Sequence, residues 1–282
     1  MAKITEYPQA TRFDANDVLL KDGTGGTKKI VFSDAAADML GSLSPEMHRN
    51  VYRGKNLGSG NTIDDVFTAA QKTAISSGTF DDLFIGDYVT LGGKRYDIAD
   101  MDYWYNCGDT AFTKHHLVMV PHVSLYNHVM NDTNTTEGGY VGSKMYTEGL
   151  DSAKATIAAA FGTMLLTHRE SLINAVTDGH PSGYAWYDSD VELMSETMVY
   201  GHEIYSPMCN GTLLPTKYTI DKTQLAIFQL HPKLVMTARA YFWLRDVVSA
   251  AYFAFVRNYG VASNSGASYS NGVRPAFPVG IA

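Results

Sequence analysis

The stretch Tyr241-Phe-Trp-Leu-Arg-Asp-Val-Val-Ser-Ala-Ala-Tyr-Phe-Ala-Phe-Val-Arg-Asn-Tyr-Gly260 runs on through Val261-Ala-Ser-Asn-Ser-Gly-Ala-Ser-Tyr-Ser-Asn-Gly272 to Val273-Arg-Pro-Ala-Phe-Pro-Val-Gly280. Two vocabularies are interleaved in it. Trp243, Leu244, Val247, Val248, Val256, Gly260, Gly272, Val273, Pro275 and Phe277 are apolar or geometrically demanding, and they predict a buried frame. Tyr252, Phe253, Phe255, Arg257, Asn258, Tyr259, Ser263, Asn264, Ser265, Ser268, Tyr269 and Asn271 form the second set. Tyrosine offers large, rigid contact area, and Ser and Asn offer adaptable hydrogen bonds, which is the composition of antibody-type binding surfaces. The stretch therefore predicts a ligand-binding face, made of these twelve residues, carried on a rigid frame. Arg245 and Arg274 lie in apolar strand contexts where an unpaired charge is costly. Each is expected to pair with a carboxylate such as Asp246 or with carbonyls, as a strut for the binding loops.

Composition narrows the remaining possibilities. At 282 residues with ordinary apolar content, the chain can bury a sizeable core in one large or two modest domains. A net charge of −7 argues against nucleic acid, which calls for clustered Lys and Arg. No run of ~20 apolar residues is present to cross a bilayer, and the opening Met-Ala-Lys-Ile-Thr-Glu-Tyr-Pro lacks a signal peptide's apolar block. Cys107 and Cys209 are far apart in no metal spacing and are read as free thiols.

Outward from the C-terminal stretch, the pattern is α+β. Residues 1–40 read as a small module: short apolar runs at 17–21 and 28–32 flank Asp22-Gly-Thr-Gly-Gly26, a hairpin signal, and Ser33 is placed to cap a helix. Such a module buries little by itself, so it is expected to attach to a partner or to sister chains. Gly58-Ser-Gly-Asn61 reads as linker, giving an attachment module over 1–60 and a display domain over 61–282. Within the latter, 64–76 predicts a helix ended by Gly78, and Gly92-Gly93 a hairpin between 87–91 and 94–100. Residues 117–121 predict a buried strand, 131–142 a surface loop, and 152–166 and 191–200 helices. Residues 224–230 fit either state.

Several clusters raise chemistry. His115, His116, His122 and His128 suggest zinc, but their spacings match no ligand set. His168-Arg-Glu170 could be an acid–base pair, although a helix-end role against the macrodipole is the simpler expectation. Trp104 and Trp186 could stack on sugars or lie in the core. Asp188, Asp190 and Glu192 are the candidates for a carboxylate pair of a glycan hydrolase. No nucleophile-elbow motif is present, so no catalytic residue is assigned and the chain is not expected to be an enzyme.

The run Trp243-Leu-Arg245, followed by Gly272-Val-Arg-Pro-Ala-Phe277, resembles the C-terminal signature of a phage protein domain found in viruses of gut Firmicutes. That domain is similar to the C-type-lectin-like fold shared by formylglycine-generating enzymes and by the variable proteins of diversity-generating retroelements. The resemblance covers about 80–282, and the opening residues separately resemble the start of phage virion proteins. It implies a display domain of short twisted strands, two or more helices and long loops. It also implies a virion surface protein, a fibre or receptor-binding component, that is a homo-oligomer (a trimer by analogy). Such a protein would contact other virion proteins through 1–60 and bind a host surface protein or glycan. Made in the bacterial cytoplasm, it would reside in the virion. The paired cysteines of the enzymes in that fold have no counterpart in the C-terminal segment. Some C-type-lectin-like domains bind calcium, and Asp100, Asp102, Asn106 and Asp109 supply oxygens, yet the Asp-x-Asp-x-Asp-Gly pattern is absent and no cofactor is expected. A head-decoration protein without a ligand and a particle-borne glycan hydrolase are the alternatives.

Overall fold

The computed structural model describes residues 18–21, 28–31, 39, 45–206 and 223–282. β1 (Val18–Lys21) and β2 (Lys28–Val31) pair antiparallel, as the flanking pattern predicts. The Asp22–Gly26 turn and the Ser33 cap lie outside the described residues. The chain divides into two units, Met1–Ser44 and Pro45–Ala282.

The larger unit starts earlier than expected. A short helix, α1 (Pro45–His48), is followed by β3 (Asn56–Gly60), which includes three of the four residues read as linker. This corrects the 60/61 boundary: residues 45–60 are locked into the larger unit. Arg49 makes two hydrogen bonds to the buried Asp100, and Arg53 grips Asp87. Backbone pairing needs no side chains, so a Gly-Ser-Gly run can extend a sheet edge as readily as it can hang free. The helix expected over 64–76 begins later. A 3₁₀ turn at Ile63–Asp65 precedes α2 (Ala69–Ser77). Thr68 and Gln71 form a reciprocal capping box, and Gly78 closes the helix at φ +71.

β4 (Tyr88–Leu91) and β5 (Lys94–Met101) form the hairpin that Gly92-Gly93 closes; β6 (His116–Pro121) and β7 (Tyr126–His128) follow. After the 131–142 loop comes α3 (Asp151–Phe161), whose buried Ala153, Ile157, Ala160 and Phe161 fall on one face. Next, β8 (His168–Thr177) and β9 (His180–Ser189) make a long two-stranded ribbon. Residues 191–200 are not one helix: β10 (Glu192–Leu193) precedes α4 (Glu196–Tyr200). Residues 226–230 are helical, α5 (Ala226–Leu230), and a 3₁₀ segment, Pro232–Arg239, leads to the end stretch.

That stretch supplies five strands: β11 (Phe242–Val247), β12 (Tyr252–Val256), β13 (Ala262–Gly266), β14 (Asn271–Val273) and β15 (Pro275–Gly280). Two sheets share it. One has the order β13-β12-β11-β14-β7, the other β10-β15-β6-β5-β4-β3. The unit is mixed α+β, with few helices and many strands. Chain crossing between the sheets happens at Arg274, between β14 and β15. Tyr96, Phe161 and Phe277 meet edge to face beneath the larger sheet, with centroids 4.9–5.9 Å apart.

Candidate functional site

The twelve expected binding residues do not share one face. β12 is an interior strand covered on both sides, so Phe253 and Phe255 are buried, and so is Ser263 opposite Phe255. Tyr241 stacks on Phe255 at 5.7 Å, and Trp243 lies 6.1 Å from it. Phe253, Phe255 and Ser263 therefore belong to the frame. Tyr252, Tyr259 and Tyr269 stand out at 44, 56 and 63% exposure, and Arg257 is exposed as well. Asn258, Asn264, Ser265, Ser268 and Asn271 are half-buried.

The β12–β13 hairpin splits the exposed tyrosines between its ends. Its tip is the turn in which Gly260 donates to the Arg257 carbonyl and Arg257 to that of Val261. Gly260 has φ +84. Tyr259 sits there, beside exposed Val261 and above Met236, which comes within 3.4 Å of where a Gly260 Cβ would be. At the other end Tyr252 faces Gly266, and Tyr269 follows in the next turn. Roughly 15 Å of strand separates the two ends. Asn134 fixes the second turn: its Oδ1 accepts from the Ser268 backbone (3.0 Å) and hydroxyl (2.8 Å). Asn134 and Val261 escaped the sequence reading because the one is remote in the chain and the other is aliphatic.

The frame of the end stretch is closed. Trp243, Val256, Val273 and Phe277 are fully buried, and the Trp243 indole donates to the His128 carbonyl at 2.8 Å. Arg274 bonds the Pro121 and Leu234 carbonyls and lies 5.2 Å over Phe242, as a strut bonded through carbonyls should. Burial lowers it to about 10, which leaves it charged at neutral pH. Arg245 pairs with Glu170, a carboxylate remote in the chain, at 2.6 Å, while Asp246 accepts from the Glu196 backbone at 2.7 Å.

Around that pair is a buried network. His168 Nε2 donates to Glu170 Oε2 at 3.2 Å, and residues 168–170, paired with 187–189, open a strand and do not end a helix. Burial would raise Glu170, but Arg245 and His168 outweigh it and hold the carboxyl at about 2. Glu192 goes the other way: burial and the nearby Glu170 raise it to about 7, while Tyr140 donates to it at 2.8 Å. Asp246 is also raised to about 7, by burial and then by Glu196. Two of the three candidate hydrolase carboxylates are therefore separated by environment: Asp188 is exposed on Arg169, and Glu192 is sealed in the core.

The metal candidates are each engaged elsewhere. Asp100 serves Arg49 and the Ala226 backbone at the start of α5, Asp102 serves His115 and His116, and Asp109 serves Arg169. His122 pairs with Asp97 and His128 with the Val129 carbonyl. Among the described residues no group of three or more His, Cys, Asp or Glu could hold a metal ion. Trp104 is buried between His116 and His168.

A cleft of about 400 Å3 lies between the turn at 110–112 and the ends of β8 and β9. Thr110, Ala111, Phe112, Thr167, His168, Arg169 and Asp188 line it. No family model matches the chain, and no curated protein or solved structure matches it.

Proposed function

We propose that this chain is a bacteriophage virion surface protein that recognises the host cell through the two tyrosine-bearing ends of the β12–β13 hairpin. The observation that carries the reading is a contrast within the end stretch: Tyr252, Tyr259 and Tyr269 stand exposed, while Trp243, Val256, Val273 and Phe277 of the same stretch are fully buried. Exposed aromatics on a rigid support lose little conformational entropy on binding and commonly dominate interface energy. Two contact points per chain, repeated in a homo-oligomer such as a trimer, would add avidity of ~10²–10⁴ over one site. The signature at 243–245 and 272–277 supports placing the larger unit among C-type-lectin-like folds. Residues 1–44 are the segment left to attach it to the particle.

The test replaces Tyr252, Tyr259 and Tyr269 together by Ala. Surface substitutions stay within about ±0.5 kcal/mol each, so the melting temperature should hold, while adsorption of the purified protein to cells of the phage's host should fall at least tenfold. A variant that adsorbs normally, or that melts well below the parent, overturns the reading.

A further inference from the structure

The cleft at the foot of the β8–β9 ribbon takes no part in the recognition surface above. We propose that it is a second binding site, for a neutral, hydroxyl-rich ligand, a saccharide. Its volume of about 400 Å3 lies within the ~300–1,000 Å3 typical of ligand sites.

The charges at its rim exclude an anion. Arg169 is already committed: it bonds Asp109 through Nε (2.8 Å) and Nη2 (3.0 Å), Asp188 through Nη1 (3.0 Å), and the Trp186 carbonyl (3.1 Å). Four of its five N–H donors are used. Of these two carboxylates Asp188 lines the cleft, and with Asp109 it occupies the Arg169 guanidinium, which leaves no unpaired guanidinium there to hold an anion.

The groups still unused suit hydroxyls. Asp188 is 76% exposed and spends only Oδ1 on Arg169, so the ion pair fixes Oδ2 as an oriented acceptor at the cleft mouth. The Thr110 and Thr167 hydroxyls, both at exposed positions, have no hydrogen-bond partner among the described residues. Each can donate and accept. The floor is made of two buried rings, Phe112 and His168, with centroids 6.0 Å apart, and the His168 Nδ1 has no hydrogen-bond partner. A sugar ring lays C–H groups on such a floor and gives O–H groups to a carboxylate, where charge-assisted bonds are strongest. An apolar ligand would instead strip water from Asp188 and both threonines without replacing it.

The test is saturation-transfer NMR on the full chain with glucose, galactose, N-acetylglucosamine and rhamnose at millimolar concentration, beside glucuronate and choline. At least one neutral sugar should receive transfer, and Asp188→Ala should weaken that binding at least tenfold with an unchanged melting temperature. Thr167→Val should weaken it by a smaller factor. Absence of transfer to every neutral sugar overturns the proposal. A preference for glucuronate or choline, or equal binding by Asp188→Ala, does so too.

Discussion

Arg245→Met removes the cation from a carboxylate that has no water to turn to. Glu170 is 1% exposed, and in the parent its carboxyl sits at about 2 against an ordinary 4.5. That gap corresponds to on the order of 3 kcal/mol of stability at pH 7. The contribution belongs to a lowered carboxylate, so it is present above pH 4.5 and is lost as pH falls toward 2. Breaking one side of a buried pair typically costs ~3–5 kcal/mol, or roughly 6–20 °C in melting temperature for a unit of this size. Methionine keeps the length and apolar contact of the arginine stem, so the loss measures charge and not a cavity. With Arg245 gone, only His168 still opposes the burial that raises Glu170, so the carboxyl moves up from its position in the parent. The variant should therefore gain stability relative to the parent as pH is lowered from 7 to 5. Arg245→Met with Glu170→Gln should recover most of the loss, because replacing a whole buried pair is often near neutral. Urea unfolding followed by tryptophan fluorescence at pH 5, 6 and 7 reads all three quantities. A single variant within 1 kcal/mol of the parent at pH 7 refutes the account, as does a double variant no more stable than the single.

Two other expectations come from the same geometry. Glu192 is raised to about 7, and Asp246, which water partly reaches, is raised similarly with a smaller effect. A raised carboxyl is neutral in the fold while the unfolded chain ionises, so stability should fall between about pH 4.5 and 7 as pH rises, at on the order of 1 kcal/mol per pH unit for Glu192; Glu192→Gln should flatten that slope in a pH series of melts. A 45–282 fragment should fold and melt like the intact chain's larger unit. A 61–282 fragment should be insoluble or unfolded, because it loses β3 and the Arg49–Asp100 and Arg53–Asp87 pairs; circular dichroism and light scattering of both fragments decide it.

Local chemistry made much of the fold legible. Gly92-Gly93 must bend where both residues take positive φ, +54 and +76, and Gly78 must end a helix whose apolar spacing is visible in the chain. The need to pair a buried guanidinium was equally legible for Arg274, whose carbonyl partners were anticipated. What the chain alone could not supply was which face each residue meets. Phe253 and Phe255 carry the same side-chain types as a recognition surface, and only the docking of β11 and β13 on either side of β12, with covering layers above and below, makes them core. Arg245 has an acidic neighbour in sequence, yet its ion pair is with Glu170, which a distant ribbon brings to it. The cleft beside Asp188 is likewise a product of packing: a turn at 110–112 meets strand ends at 168 and 188 that no local pattern connects. Turns and caps are decided by a few adjacent dihedrals, which the local sequence determines. Burial, ion-pair partners and cavities are decided by long-range contacts, which exist only once the sheets have closed on one another.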